Sequence, residues 1–560
     1  MHHVHVFALV AAAVLVAALC RRKGWPAPLV IVAVGLVASF VPGVPRFEID
    51  AQVVLEFVLP PLLYSAALSS SYRDFRSSWN AITRLGVGLV LVTALAVALV
   101  AVLVHPSLSF AAALVLGAVV APPDAVAAAA VGRRLGLPRR VMTLLAGESL
   151  INDATSLTLF KVALAGVATG TWLLGDGLGT FALAVGVGVA VGVGLGWLVH
   201  AIRMRLDDPV VASAIGLLTP FAAYWGAEAL LGSGVLAVVA AGLYLGHTAP
   251  RAGYATRLYE EPIWSTVDLV LEAFTFALIG VQLPWVVRDV IASDQGLRPA
   301  LLLSLAVLTT AILVRPVYIF ATARFDNLRL RGSHRPAGDA LDARESAVVS
   351  WAGMRGVVTL AAAAAIPATS AGAPFPERAS LQLAACTVAL GTLLLQGLTL
   401  PAVIRRLGVG SATQVEAAED ATQEAQARLA MADAVQEMLE RERPAWRAEL
   451  GTEQADAAIE RLTRLTRERA AAAAVVIDPD NAEDLLDDGL TAWAPEHQRR
   501  ADLAGRTARV RRAVIGAQRD ALVRRRDAAE IDEAVLRRML HELDLEDESL
   551  SASWITRAGS

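Results

Sequence analysis

The chain has 560 residues, with 49 Lys plus Arg, 53 Asp plus Glu, two cysteines and a formal net charge of −4. Hydrophobic residues make up 56% and charged residues 18%, against about a quarter charged in soluble domains. Two cysteines, Cys20 and Cys386, are too few for a secreted disulfide scaffold, and a net negative chain without a basic cluster does not read as a nucleic-acid binder.

The charge is unevenly spread. Residues 411–560 hold 31 of the acidic and 21 of the basic residues, so about half the charge sits in about a quarter of the chain. The first part is too apolar for a water-soluble domain, and the last part is too polar for a bilayer. A membrane helix needs about 20 apolar residues. By that rule the segments near 4–20, 27–42, 51–69, 82–104, 108–131, 140–168, 173–201, 209–230, 233–248, 262–290, 298–323, 344–371 and 378–405 read as thirteen spans. They are continuous apolar runs rather than alternating ones, so strands are not expected in them. The fold class is therefore an all-α polytopic membrane protein, with a transmembrane domain over 1–411 and a soluble helical tail over 412–560.

The first span has its positive charge, Arg21-Arg22-Lys23, after the apolar run. A signal peptide carries it before, and Leu19 stands where a lipoprotein signal at Cys20 needs a small residue, so this segment reads as a first membrane helix. Arg73, Arg76 and Arg84 follow span 3, and Arg133, Arg134, Arg139 and Arg140 lie around the loop from span 5 to span 6. Arg203 and Arg205, then Arg251 and Arg257, then Arg324, Arg329, Arg331 and Arg335 follow spans 7, 9 and 11. The basic loops alternate with poorer ones. This places the N-terminus outside, and an odd number of spans puts the tail in the cytoplasm.

Charges inside spans need a reason, because burying one costs at least about 2.5 kcal/mol. Asp124 lies in span 5 beside Pro122-Pro123, Glu148 and Asp153 lie in span 6, and Arg355 lies in span 12 between Gly353 and Gly356. Asp153 is about 20 Å along a helix from each end of its span. The proline pair removes amide donors and breaks the helix ladder, freeing carbonyls that can coordinate a cation. Span 12 is a second candidate for unwinding at its glycines. Paired interrupted helices point to a transporter site.

In span 6, Ser149, Asp153 and Ser156 share a helical face, and Glu148, Asn152 and Thr155 form the adjacent stripe. Glu148 is expected to pair with Arg355, leaving Asp124 and Asp153 for a hard monovalent cation or protons. Oxygen donors do not suit zinc or copper. Lys161, toward one end of span 6, can snorkel. Glu272 and Arg315, inside spans 10 and 11, read as structural pairs. Gly186 to Gly196 read as a helix-packing stripe rather than a phosphate loop, since no Walker lysine follows.

The stretches GESLINDA (Gly147 to Ala154), LPPLLYSAAL (Leu59 to Leu68), GMRGVV (Gly353 to Val358) and EAFTFALIGVQL (Glu272 to Leu283) resemble the signatures of the cation–proton antiporter-1 family of bacterial and animal sodium–proton exchangers, in the family's order and over about residues 1–405. The resemblance implies a thirteen-helix, elevator-type homodimer in the plasma membrane, with crossed, interrupted helices. It implies that Asp153 is the main cation and proton carboxylate, Asp124 its companion and Ser149 a ligand. It also implies that Asn152 braces the site and that Glu148 pairs with Arg355. Sodium, or potassium, would sit at Asp124 and Asp153. Where the family often reads Thr-Asp-Pro this chain has Pro123-Asp124-Ala125, so Pro123 offers only a carbonyl, and Ser65 stands where the family often has Glu.

In the tail, Ile531, Val535 and Met539, with Leu536, Leu540 and Leu543, recur at helical spacing, as an internal core or partner face does. Pro479 and Pro495 mark breaks, and the end, IDEAVLRRMLHELDLEDE, resembles the tails of long bacterial members of the family. No nucleotide fingerprint, cofactor motif or enzyme motif stands out. The leading expectation is exchange of a monovalent cation, sodium first, for a proton, 1:1 and electroneutral, serving pH homeostasis. The alternatives are a potassium–proton exchanger of the same fold, a cation channel and a membrane sensor.

Overall fold

The computed structural model describes residues 2–41, 51–124, 128, 131–132, 135–169, 174–206, 208–251, 254–293, 295–330, 341–370, 372–409, 413–477 and 500–558. Arg133, Arg134, Arg331, Arg335, Ala125, Pro479 and Pro495, which figure in the sequence reading, lie outside the described residues. The chain forms two compact units, one of Met1–Ala249 with Tyr259–Ala412, the other of Pro250–Leu258 with Thr413–Ser560.

The first unit opens with α1 (His2–Lys23) and α2 (Ala27–Ala38). Next, α3 (Ala51–Val53) passes through a π-helical turn (Val54–Val58) into α4 (Leu59–Leu68). Pro60 and Pro61 stand in the first turn of α4, where missing amides cost least, and the wider π turn before them absorbs the mismatch. Two short helices, α5 (Tyr72–Ser77) and α6 (Trp79–Thr83), lead through a π turn (Arg84–Leu89) into α7 (Val90–Val104). Ser109 caps α8 (Phe110–Val120) by accepting from the Ala112 amide at 3.2 Å. The helix ends at Val120, just before the proline pair.

The long helix α9 (Arg139–Thr169) follows, then α10 (Leu174–Arg203). Asp208 caps α11 (Pro209–Ala229), and Ser233 caps α12 (Gly234–Thr248). The glycine stripe of α10 packs on α12: a Cβ at Gly192 would collide with the Ala237 carbonyl. Two long helices, α13 (Tyr254–Ile291) and α14 (Leu297–Leu330), precede α15 (Ala343–Trp351), which starts in an Asp342–Glu345 capping box. Residues 352–356 are not helical, and α16 (Val357–Ala364) resumes after them. A hairpin, β1 (Thr369–Ser370) against β2 (Ala373–Pro374), is the sheet among the described residues; β1 falls inside the end of the segment 344–371 read as span 12, where no strand was expected, because helix α16 already stops at Ala364. The unit closes with α17 (Arg378–Thr392), a π turn (Leu393–Gly397) and α18 (Leu398–Leu407).

Among the described residues, eight helical segments are long and apolar enough to cross a membrane, and four shorter apolar helices join them. The two interruptions account for part of the shortfall from thirteen full spans: α8 stops at the prolines, and span 12 is divided into α15 and α16. Helix α8 is buried from Ala111 to Val120, packed against α7 and α9, so the broken end is held deep inside the unit.

The second unit contains α19 (Thr413–Leu450), α20 (Thr452–Ile477), α21 (Arg500–Asp527) and α22 (Glu533–Ala558). Ile531, Val535, Leu536, Met539, Leu540 and Leu543 are all buried, together with Ala427, Ile515 and Leu522. The stripe read from the sequence is thus an internal core. Asp544 accepts from Arg519 at 2.8 Å and holds Arg257 with both oxygens, at 2.9 and 2.5 Å.

Candidate functional site

The two interruptions meet. The Asp124 amide donates to the Met354 carbonyl at 2.6 Å, so the strand of backbone after α8 crosses the one between α15 and α16. Gly356 is required at this crossing, because a Cβ there would collide with the Asp124 carboxylate.

Arg355, 1% exposed, fills the crossing. Its Nε donates to the Val120 carbonyl at 3.0 Å and its Nη2 to the Ala121 and Ala311 carbonyls, each at 3.4 Å; Nη1 donates to the Gly353 carbonyl. Its backbone amide donates to Thr392 Oγ1 at 2.9 Å. A helix C-terminus carries partial negative charge and unsatisfied carbonyls. The guanidinium neutralises the one and satisfies the other at the broken end of α8.

The long helix α9 delivers the remaining groups. Asn152, fully buried, donates from Nδ2 to the Pro123 carbonyl at 2.8 Å. This bond ties α9 to the break and occupies one lone pair of the Pro123 carbonyl. Asn152 Oδ1 is buried and has no hydrogen-bond partner. Asp153 is 7% exposed, and its charged neighbours are the carboxylates of Asp124 and Glu148. Ser149 is partly buried one turn before Asp153, and Asp124 is partly buried at the crossing. Ser156, on the same stripe, turns instead to α8 and donates to the Ala118 carbonyl at 2.7 Å, while Thr155 donates to its own Ile151 carbonyl at 2.8 Å.

The expected Glu148–Arg355 pair does not form. Glu148 pairs with Arg315 of α14: Nη1 donates to Oε1, and Nη2 to Oε2 at 2.7 Å. Arg315 Nε donates in addition to the Val349 carbonyl at 2.9 Å, and both side chains are about 2% exposed. The reason is that Arg355 is taken up by the open carbonyls of the break, whereas Arg315, on the continuous helix α14, is within reach of Glu148. A Cβ at Gly353 would collide with the Arg315 side chain, so that glycine admits the guanidinium.

The sequence reading passed over a second acidic position. Asp268 lies one turn before Glu272 on α13, and its Oδ2 accepts from Ser65 Oγ at 2.6 Å. Asp124 and Asp268 are charged neighbours of Glu272. The readable signal was a pair of acids four residues apart in an apolar helix. Lys161, read as snorkelling, pairs with Glu228 of α11.

Comparisons with known proteins bear on this geometry. Residues 9–406 match the model of the sodium/hydrogen exchanger family, transmembrane. The chain belongs to the sodium/hydrogen exchanger family. It is 35% identical over 556 residues to an uncharacterized Na(+)/H(+) exchanger of Mycobacterium bovis, covering 97% of this chain and 95% of that one. It is 29% identical over 391 residues to a sodium, potassium, lithium and rubidium/H(+) antiporter of Bacillus subtilis, covering 67% of this chain and 57% of that one. Its fold is similar to the solved structure of a sodium proton antiporter of Methanocaldococcus jannaschii, with a TM-score of 0.57 and 20% identity, over 73% of this chain and all of that one. Membership makes the apolar unit part of a multi-pass membrane transporter.

Proposed function

We propose that the protein exchanges a monovalent cation, sodium first, for a proton at Asp153 and Asp124. The observation that carries this reading is the crossing of two interrupted helices at buried carboxylates, with the open helix end neutralised by Arg355. Asp153 and Asp124 supply charge, and Ser149 and the second lone pair of the Pro123 carbonyl supply neutral oxygen ligands. Cation and proton compete for the same carboxylates, which makes the two fluxes obligatorily linked.

The charges support 1:1 exchange. Glu148 is tied to Arg315 and Asn152 is neutral, so two carboxylates remain for the ion. With one sodium bound and both ionised they carry −1; with one proton and no sodium they also carry −1. The moving element then bears the same charge in both directions, and a membrane potential does no work on the cycle. In this reading thirteen spans form an elevator-type carrier, a homodimer in the plasma membrane. The N-terminus is outside, and residues 412–560 form a cytoplasmic tail. The names of the relatives bear on the ion: the M. bovis protein is named for sodium, and the B. subtilis protein for potassium, lithium and rubidium as well. That second name favours, as the alternative, a potassium–proton exchanger of the same fold.

Purified protein in liposomes with an internal pH dye tests the reading. Sodium added outside should alkalinise the lumen, and potassium should do so only weakly. A potassium–valinomycin voltage imposed without ion gradients should drive no sodium uptake. No dye response to sodium, lithium or potassium would refute exchange, and uptake that follows the sign of the voltage would refute the 1:1 ratio.

A further inference from the structure

Beyond the carboxylates, α9 makes two polar contacts where α11 ends and α12 begins. Thr158 Oγ1 lies 3.1 Å from Ser233 Oγ. Thr158 already donates its proton to the Ala154 carbonyl at 2.7 Å, so the Ser233 hydroxyl is the donor between the two. Ser233 in turn accepts from the Leu236 amide as the cap of α12. One turn on, Lys161 pairs with Glu228, and its ammonium lies 5.3 Å from the centre of the Tyr224 ring. Glu228 also accepts from the Gly234 amide at 3.0 Å. Each contact therefore grips the N-terminus of α12 from the helix that carries Asp153.

The turn itself is fixed from the other side. The Ser233 amide donates to the Ala184 carbonyl at 2.8 Å, and Leu231 holds a φ of 60°. A Cβ at Gly188 would crowd the Ser233 carbonyl at 2.6 Å. The turn thus belongs to a block with α10, and α9 is fastened to that block. Thr158 and Lys161 lie about 7 and 12 Å beyond Asp153 along α9, toward its Thr169 end. They therefore lie between Asp153 and that end of α9.

Taking the exchange reading as its basis, we propose that Thr158 and Lys161, with Ser233 and Glu228, are positioning residues. They form a two-point latch that closes the Thr169-end approach to Asp153 and must release once in every cycle. The polar chemistry suits reversible release. Both partners of the ion pair are more than a third exposed, at 38% and 35%, so they separate into water at small cost. A permanent strut between the same elements is better made of buried apolar contacts.

The test is a reversible cross-link. Two hydroxyls 3.1 Å apart on short side chains put a Thr158→Cys, Ser233→Cys pair within reach of a disulfide. Single-cysteine variants control for pairing with Cys20 or Cys386, both of which are buried. In proteoliposomes the pair should exchange under reductant, lose at least about nine-tenths of that activity on oxidation, and regain it on re-reduction. Undiminished exchange with the disulfide formed, verified by mass spectrometry, would overturn the latch. Absence of exchange in the unmodified protein would instead sink the exchange reading itself.

A second arm does not depend on the cysteines. Lys161→Met should lower the apparent KM for cation supplied from the Thr169 side by about two- to fivefold, the population shift expected when an exposed ion pair is lost from the closed state. The KM from the opposite side should rise, and Lys161→Arg should restore both. Right-side-out and inverted vesicles distinguish the two sides. Equal KM changes on both sides, or none, would mark the contact as a strut and overturn the proposal.

Discussion

Glu148 and Asp153 are both acids, both buried and five residues apart on α9, yet their surroundings differ completely. Glu148 is gripped by both ends of the Arg315 guanidinium. Asp153 has carboxylates as its charged neighbours and, among the described residues, no cationic side chain paired with it. One acid is neutralised inside the protein and the other has no internal counter-charge, which is why the proposed exchange is assigned to it. Burial therefore does not mark a transport carboxylate. On the proposed reading, what marks it is burial without an internal counter-charge, beside a broken helix whose own dipole has been neutralised by another group.

The sharpest way to break this comparison is to neutralise Asp153. Asp153→Asn should abolish exchange completely while the protein still inserts and elutes as the native species, because the substitution removes charge and adds no bulk. Asp124→Asn should do nearly the same. Normal sodium-dependent dye responses from a well-folded Asp153→Asn protein would remove the site from α9.

Glu148 should respond in stability first. Glu148→Gln leaves Arg315 buried and unpaired, and should destabilise by about 3–5 kcal/mol in a thermal or denaturant assay. Adding Arg315→Met should recover much of this loss, since no lone charge then remains. A double variant as unstable as the sum of the singles would argue against a direct pair. The same cycle with Arg355→Met in place of Arg315→Met should show no such recovery, because Arg355 serves the Val120 and Ala121 carbonyls instead.

A smaller effect is expected at Asn152. Asn152→Ala loses the hydrogen bond to the Pro123 carbonyl, worth about 1 kcal/mol net, and loosens the break without removing charge. Exchange should persist at a reduced rate, with a higher apparent KM for the cation. Unchanged KM would mean that Pro123 and its neighbours are held by other contacts. Smallest of all should be removal of the tail. A chain ending at Val409 retains every residue of the crossing and should still exchange. Loss of the Asp544 partner of Arg257, a mostly buried pair, should lower stability more than rate, since neither residue belongs to the crossing. Complete inactivity of a stable truncation would show that the second unit is part of the transport machine.

Much of the arrangement was legible in the sequence. Charges in apolar runs stand out because the bilayer penalises them, and Pro122-Pro123 and Gly353 to Gly356 announce the two breaks. Partner choice was not legible. Spacing along a helix fixes which residues share a face, but not which of two arginines from separate helices reaches Glu148. That choice depends on the unsatisfied carbonyls of α8, which exist only once the chain has folded and claim Arg355 first. The bond of Ser156 was not legible for a related reason, since its hydroxyl faces the Ala118 carbonyl across a helix interface that periodicity cannot see. Asp268 escaped notice because it lies nearer the start of its apolar run, where charges are ordinary, and its partner Ser65 is more than 200 positions away.

The central claim is that Asp153 carries the exchanged ions while Glu148 only holds helices together. It is tested most directly by comparing, in the same proteoliposome assay, the Asp153→Asn protein with the Glu148→Gln, Arg315→Met double variant. Each is folded and matched for reconstituted amount. The double substitution removes one positive and one negative charge, so the charge left at the crossing is unchanged. The account predicts sodium-driven lumenal alkalinisation from the double variant and none from Asp153→Asn. Exchange by Asp153→Asn, or its complete loss in a stable double variant, would contradict it.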